Sequence, residues 1–339
     1  MSHYHPPFDI TPDMLQLVEE IGEILGRWSV LKRPDSPQLR RRNRIRTIQA
    51  SLEIENNTLS LEQITALLEG KRVLGPPREI QEVRNAFAAY EQMNQWQAES
   101  GDHLLEAHAL LMAGLLDYPC QFRTRGVGIY RGENLVHRAP PASQIPRLMT
   151  ELFSWLKSEP IHPLIASCVF HYELEFIHPF MDGNGRVGRL WQTLILSHWK
   201  PVLAYLPVES VIRDRQAGYY QALVDSDHVA NSTAFIRFML HALLTAMKEV
   251  ALTDQVSDQV TDQVTDQVKR LLDLLNTGQA LKATELMARL NLTHRPTFRK
   301  HYLKAALAAE LIEMTQPNSP RSPQQKYRLT AKGIALRYN

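Results

Sequence analysis

Apolar residues recur every three to four positions through most of the chain, with little strict alternation, and this period predicts a mainly helical protein. Leu15, Val18, Ile21 and Leu25 form one such stripe, behind Thr11 as a cap and Pro12 in the first turn. A second helix is expected over about 37–55, closing at Asn56-Asn57, residues that tolerate a left-handed turn. Ser60-Leu-Glu-Gln63 is a capping box for the third helix, and Gly75-Pro76-Pro77 ends it. A further helix passes through 86–90. Downstream, helices are expected over about 143–157, 164–177 and 184–198, with Pro163 starting the second of these and Pro179 stopping it. Residues 125–141 depart from the helical period. Short β-prone pieces flank Gly132-Glu-Asn134 and stop at Pro140-Pro141, the pattern of a hairpin.

The four-residue repeat at 253–268 puts Val256, Val260, Val264 and Val268 on a slowly drifting stripe. It reads as a linker helix, a partly ordered linker, or a self-association seam that would make the chain a homo-oligomer. After it come three helical stretches, 268–275, 282–290 and 295–309, then two strands, 311–314 and 326–330. That order is a winged helix-turn-helix pattern. The chain therefore divides into an N-terminal helical region (1–100), a core (101–250), a repeat linker (251–268) and a C-terminal module (269–339).

Composition narrows the class. Apolar residues are 44% and charged residues 22%, ordinary for a globular protein. No apolar run approaches the roughly 18 residues of a membrane span, and no basic-then-apolar leader opens the chain. The two cysteines, Cys120 and Cys168, make no disulfide framework, so a cytoplasmic location is expected. From Lys269 onward there are thirteen Lys and Arg against four Asp and Glu, +9, so the remainder carries −7 of the net +2. Arg295, Arg299, Lys300 and Lys304 fall near one face of the third helix of this basic module and are candidate DNA contacts.

The chemistry concentrates in His178-Pro-Phe-Met-Asp-Gly-Asn-Gly-Arg-Val-Gly-Arg189. Glycines opening a helix let several N–H groups converge, and the helix N-terminus favours an anion. Arg186 and Arg189 lie three apart on the first turns, and their planar forks match phosphate oxygens. Asp182 is a hard oxygen ligand suited to Mg2+ beside phosphates. His178, with an ordinary pKa of about 6.5, can accept a proton near neutrality. Together these residues read as a nucleotide-phosphate cradle with a metal and a base, built for attack of a hydroxyl on a phosphate.

Residues 178–189 match every specified position of His-x-Phe-x-Asp/Glu-Gly-Asn-Gly-Arg-x-x-Arg, and so resemble the Fic family. The resemblance implies a helical core that transfers AMP from ATP, with Mg2+, to a Ser, Thr or Tyr hydroxyl of a target protein. It makes His178 the base and Asp182 the metal ligand, with Phe180 anchoring the loop. Gly183, Asn184 and Gly185 would hold the α-phosphate region, and Arg186 and Arg189 the outer phosphates. Gly185 stands where the Doc-type kinases of the family carry lysine, which favours nucleotidyl transfer, although phosphocholine transfer is also known in the family. The hairpin resembles the family's flap, which docks a target by strand pairing and would set Leu135, Val136, His137 and Arg138 over the nucleotide. Tyr219 and Tyr220 resemble the adenine side. Ser51-Leu-Glu-Ile-Glu55-Asn56 resembles the family's inhibitory motif, in which Glu55 would pair with Arg189 and take the space of the γ-phosphate. The alternative is a DNA-binding regulator whose Fic core senses nucleotide.

Overall fold

The structure, a computed structural model, describes residues 4–31, 37–131, 134–275, 279–317, 322 and 324–330. The chain forms two compact units, Met1–Val250 and Ala251–Asn339.

The first unit is helical apart from one hairpin. Its elements are α1 (Pro12–Leu31), α2 (Pro37–Ile54), α3 (Leu61–Leu68), α4 (Pro77–Gln92), α5 (Gly101–Leu111), β1 (Gly128–Arg131) and β2 (Asn134–Arg138). They are followed by α6 (Ile145–Ser158), α7 (Pro163–Ile177), α8 (Asn184–Trp199), α9 (Val208–Asp214), α10 (Gln216–Val229) and the start of α11 (Thr233–Asp273). The Ser60 capping box forms as expected, with both reciprocal bonds. The stripe on α1 is phased differently: Met14, Leu17, Ile21, Ile24, Leu25 and Trp28 are buried, while Leu15 is 61% exposed. Residues 14–18 offer apolar side chains on two faces, and packing selects one.

The core centres on α7 packed against α8. Both are enclosed nearly all round, α7 mainly through apolar side chains and α8 with Asn184, Arg186, Arg189 and Gln192 buried among its apolar ones. Gly188 permits the close approach, since a Cβ there would meet His171 Cδ2 at 3.1 Å and Leu174 Cδ2 at 3.3 Å. Two polar groups enclosed with them, His171 and Gln192, pair with each other. His171 Nδ1 lies 2.8 Å from Gln192 Oε1, and its Nε2 lies 3.2 Å from the Tyr219 hydroxyl. Burial pulls the His171 pKa down to about 3, which keeps the ring neutral. The hairpin pairs β1 with β2, Gly128 opposite Arg138 and Arg131 opposite Asn134; its turn residues, 132 and 133, lie outside the described set.

The second unit begins within α11, which includes the valine repeat; the side chains of 252–266 lie outside the described residues. Then come β3 (Leu281–Lys282), α12 (Ala283–Arg289), α13 (Arg295–Phe298), a π-helical stretch (Arg299–Leu303), α14 (Lys304–Ala308), β4 (Ile312–Met314) and β5 (Lys326–Leu329). The sheet order is β3-β5-β4, antiparallel throughout. The two-residue β3 is too short to leave a periodic signal, and the expected third helix is interrupted by the π stretch. Phe298, Tyr302, Leu303 and Ala306 face inward with Leu271, Leu275 and Leu286 to form the core of this unit. Among the described residues no helix is long and apolar enough to cross a membrane.

Candidate active site

The site forms where α7 ends and α8 begins. Pro179 cannot continue α7, and the helix closes on His178 in left-handed conformation, φ 49° and ψ 60°. The His178 carbonyl accepts from Arg123 Nε at 2.7 Å. The same guanidinium donates to Arg125 O and Pro140 O, each at 2.7 Å, and to Ile177 O at 3.3 Å. Arg123 is 3% exposed, and burial lowers its pKa. One enclosed fork of donors thereby ties the backbone of residue 178 to both feet of the hairpin.

The loop after His178 is shaped by packing and by one amide. Phe180 is fully buried and stacks on His108, with centroids 3.7 Å apart and planes 5° from parallel. Asn184 Oδ1 accepts from Phe180 N–H and its Nδ2 donates to Phe180 O, both at 2.9 Å. Its side chain is thus spent on folding the loop rather than left to face a ligand. His108 Nε2 donates to Asp182 O at 2.9 Å, and Nδ1 accepts from Cys120 N–H at 3.4 Å. A carbonyl at one nitrogen and an amide N–H at the other determine the tautomer, and burial lowers the His108 pKa. Gly183 has φ 88°, and a Cβ there would lie 2.7 Å from Met112 Sδ, so the turn needs glycine twice over. The first turn of α8 follows, and the leading N–H groups of a helix have no intrahelical acceptors.

Both arginines are enclosed. Arg189, 2% exposed, donates from Nε to Ser51 Oγ at 3.0 Å, and from Nη2 to Ser51 O at 3.0 Å and Glu55 Oε1 at 2.8 Å. Burial works against its charge, but the Glu55 carboxylate, with Tyr219 and Glu175 nearby, outweighs this and raises its pKa. Ser51 and Glu55, four apart, reach it together from the end of α2. That end is a Schellman closure: Asn57 N–H donates to Leu52 O, Asn56 N–H donates to Glu53 O, and Asn56 has φ 68°. An acid there faces the negative end of the helix dipole, a penalty that Arg189 offsets. A Cβ on Gly185 would fall 2.5 Å from Glu55 Oε1 and 3.0 Å from Arg189 Nη1, so Glu55 occupies the hollow above the first turn of α8. Arg186 Nη2 donates to Asp182 Oδ1 at 2.9 Å, while its Nη1 lies 3.4 Å from Glu82 Oε1. Asp182 Oδ2 lies 3.4 Å from Arg78 Nη2.

Among the described residues no group of three or more His, Cys, Asp or Glu is placed to hold a metal alone. The Asp182 carboxylate, 40% exposed beside this loop, fits Mg2+ as it usually occurs, on one or two carboxylates plus oxygens of a phosphate ligand.

Ser51 and Glu55 thus meet Arg189 over Gly185, and Arg186 meets Asp182, while Gly183 and Asn184 shape the turn between α7 and α8 and His178, half-buried, closes α7 beside it. Of the two tyrosines expected beside adenine, Tyr219 lies in the core, 2% exposed, its ring packed on Phe235 and Phe238. Tyr220 is 38% exposed, and its pKa is raised by burial and then by Glu55. Leu135, Val136 and His137 take strand backbone in β2, but their side chains lie outside the described residues; Arg138 is exposed. Arg295, Arg299, Lys300 and Lys304 are all exposed in the second unit. Arg123, His108, Arg78 and Glu82 escaped the sequence reading, since each lies outside any local motif.

A crystal structure of a Fic family protein from Desulfovibrio desulfuricans G20 is 60% identical, covering 97% of this chain and 99% of that one, with a TM-score of 0.75. The chain belongs to the Fic family. Residues 99–196 match the Fic/DOC family and residues 266–330 match the C-terminal domain of Fic-like proteins (filamentation induced by cAMP). Among curated relatives, protein adenylyltransferase fic-1 of Caenorhabditis elegans is 35% identical over 53% of this chain and 35% of its own length. Protein adenylyltransferase Fic of Culex quinquefasciatus is 29% identical over 58% and 39%. The chain thus spans little more than a third of these relatives. Fic-1 of C. elegans shares the fold, with a TM-score of 0.59 at 22% identity.

Proposed function

We propose that this Fic protein transfers AMP from ATP to a Ser, Thr or Tyr hydroxyl of a target protein, and that Glu55 restrains the transfer. The observation that carries the reading is the Glu55–Arg189 pair, 2.8 Å across a glycine-floored helix start. An acid standing where the guanidinium and first-turn N–H groups converge imitates a phosphate. Adenylyltransferase relatives support the group transferred.

On this reading the target lies along β2 by strand pairing, with its hydroxyl directed at the α-phosphate. His178 takes the hydroxyl proton, the oxygen bonds to the α-phosphorus, and the bond to the leaving pyrophosphate breaks. Arg186 and Arg189 hold the outer phosphates, the N–H groups of the first turn of α8 hold the α-phosphate, and Tyr220 flanks the base. Asp182 would hold the magnesium that accompanies ATP, and the ion would supply positive charge to the phosphate oxygens.

Wild type, His178→Ala and Glu55→Gly are incubated with ATP labelled at the α- or the γ-phosphate. Label is expected to be retained from the α position only, to vanish in His178→Ala, and to increase in Glu55→Gly. Retention from the γ position would identify a kinase instead.

For the second unit the reading is duplex DNA binding. It is favoured by the four exposed cations over residues 295–304 and by the +9 balance of the stretch from Lys269 onward. Binding should weaken steeply with salt, and Arg299→Ala should flatten the slope by about one unit; salt-independent binding would refute it.

A further inference from the structure

A second carboxylate approaches the arginines of the loop. Glu82, on α4, has its side chain 11% exposed. Its Oε1 lies 3.4 Å from Arg186 Nη1 and 3.7 Å from Arg78 Nε. Its Oε2 accepts a hydrogen bond from Asn57 Nδ2 at 2.9 Å. Asn57 is 6% exposed, and its own N–H closes α2 on Leu52 O at 3.0 Å. The same Nδ2 reaches Glu79 O at 3.2 Å, and Thr58 gives its N–H and hydroxyl to Glu79 Oε2 at 2.6 and 2.8 Å. The residues just beyond Glu55 are therefore fastened to the one turn of α4 that also holds Arg186.

We propose that Glu82 is a positioning residue: one carboxylate that aims Arg186 at the phosphates and, through Asn57, pins the end of α2 that carries Glu55. The inference deepens the reading of Glu55 as a restraint and rests on it. A largely buried carboxylate parted from its buried cation is costly, and Arg78, 58% exposed, is a solvent-screened substitute, so Glu82 and Arg186 move together. Phosphates that draw Arg186 toward them pull on Glu82, then on Asn57, and loosen the turn that presents Glu55. Both arginines of the motif are in this way coupled to one helix end, Arg189 directly and Arg186 through Glu82.

The two arms have opposite signs. Cutting the Asn57 arm frees Glu55 and favours ATP, whereas cutting the Arg186 arm leaves that guanidinium poorly aimed and disfavours it. Asn57→Ala cuts only the first. Glu82→Gln leaves an amide oxygen for Asn57 but no charge for Arg186. ATP with magnesium is titrated calorimetrically into wild type, Glu55→Ala, Asn57→Ala and Glu82→Gln, and into the last two variants also carrying Glu55→Ala, with melting temperatures recorded for all.

Asn57→Ala should tighten ATP about fivefold, the factor of one ordinary hydrogen bond, and should have no effect once Glu55 is gone. Glu82→Gln should weaken ATP about fivefold in the Glu55→Ala background, in the KM for ATP rather than in kcat. An Asn57→Ala effect of equal size in both backgrounds would show a merely structural role and overturn the pinning; no effect of Glu82→Gln would overturn the aiming. Failure of the restraint itself is visible separately, as Glu55→Ala leaving ATP affinity unchanged, and it removes the Asn57 arm as well. One measurement needs no variant: saturating ATP should speed hydrogen exchange at the amides of 52–57 in wild type, and unchanged or slower exchange there would defeat the coupling.

Discussion

Replacing Glu55 with alanine should make the protein less stable and a better ATP binder at once. Arg189 is 2% exposed, and the Glu55 side chain about a third exposed at 33%. Hydrogen bonds to charged groups contribute about 1.5–3 kcal/mol, and the solvent on the Glu55 side places this pair at the low end, about 1.5 kcal/mol. Removing the acid also relieves its unfavourable position at the C-terminus of α2, about 0.3–1 kcal/mol. The net loss is about 1 kcal/mol, because Arg189 keeps both acceptors of Ser51. For a unit of this size that lowers Tm by about 2–4 °C. The same contact must be given up when a triphosphate engages Arg189, so its removal should tighten ATP by about fivefold to tenfold. Differential scanning fluorimetry, with and without ATP and magnesium, reads both effects: a lower Tm without nucleotide and a larger upward shift with it. A Tm that falls with no gain in ATP affinity would refute the reasoning, for it would mean that Glu55 and the phosphates do not compete.

The remaining predictions concern the frame of the site. Arg123→Lys cannot reproduce a planar fork aimed at four carbonyls; target labelling should fall at least tenfold while ATP affinity, measured by calorimetry, changes less than twofold, and an equal loss of both would show that Arg123 does not act through the hairpin and His178. Gly183→Ala meets both φ 88° and Met112 Sδ at 2.7 Å, so it should cost about 1–2 kcal/mol in urea unfolding and abolish labelling; unchanged stability would argue against the strained turn. Glu173 is buried, with the Tyr4 hydroxyl donating to it at 2.6 Å. Burial, with Asp227 adding to it, raises the Glu173 pKa from 4.5 to about 7. Its contribution to stability is therefore complete below about pH 4.5 and is lost as pH rises through about 7, at up to about 1.4 kcal/mol per unit. Glu173→Gln should be increasingly the more stable protein between pH 5 and 8, and parallel curves of Tm against pH would contradict the shift.

The candidate chemistry was legible because residues 178–189 are contiguous. A base, a turn, a helix start and two cations one turn apart need only local geometry to face the same way. The approach of Ser51 and Glu55 to Arg189 was legible for a similar reason, since the two share one face of a helix and the helix closes at residues that accept left-handed backbone. The hairpin showed in its change of period. Tyr219 and Tyr220 are adjacent and chemically alike, and only the packing of Phe235 and Phe238 sends the first into the core. On α1 two overlapping apolar stripes were available, and the neighbouring helices chose between them.

What the sequence alone determined is the set of groups gathered at the turn between α7 and α8, because helical period and turn chemistry act over a few residues. The tertiary structure decided what else holds those groups: Arg123 reaches 55 residues along the chain to His178, and Arg186 meets Glu82 across 104. Such pairs carry no periodic signature. They exist because packing α7 against α8 encloses charges that are costly to bury alone, and whichever side chain the fold brings near becomes the partner.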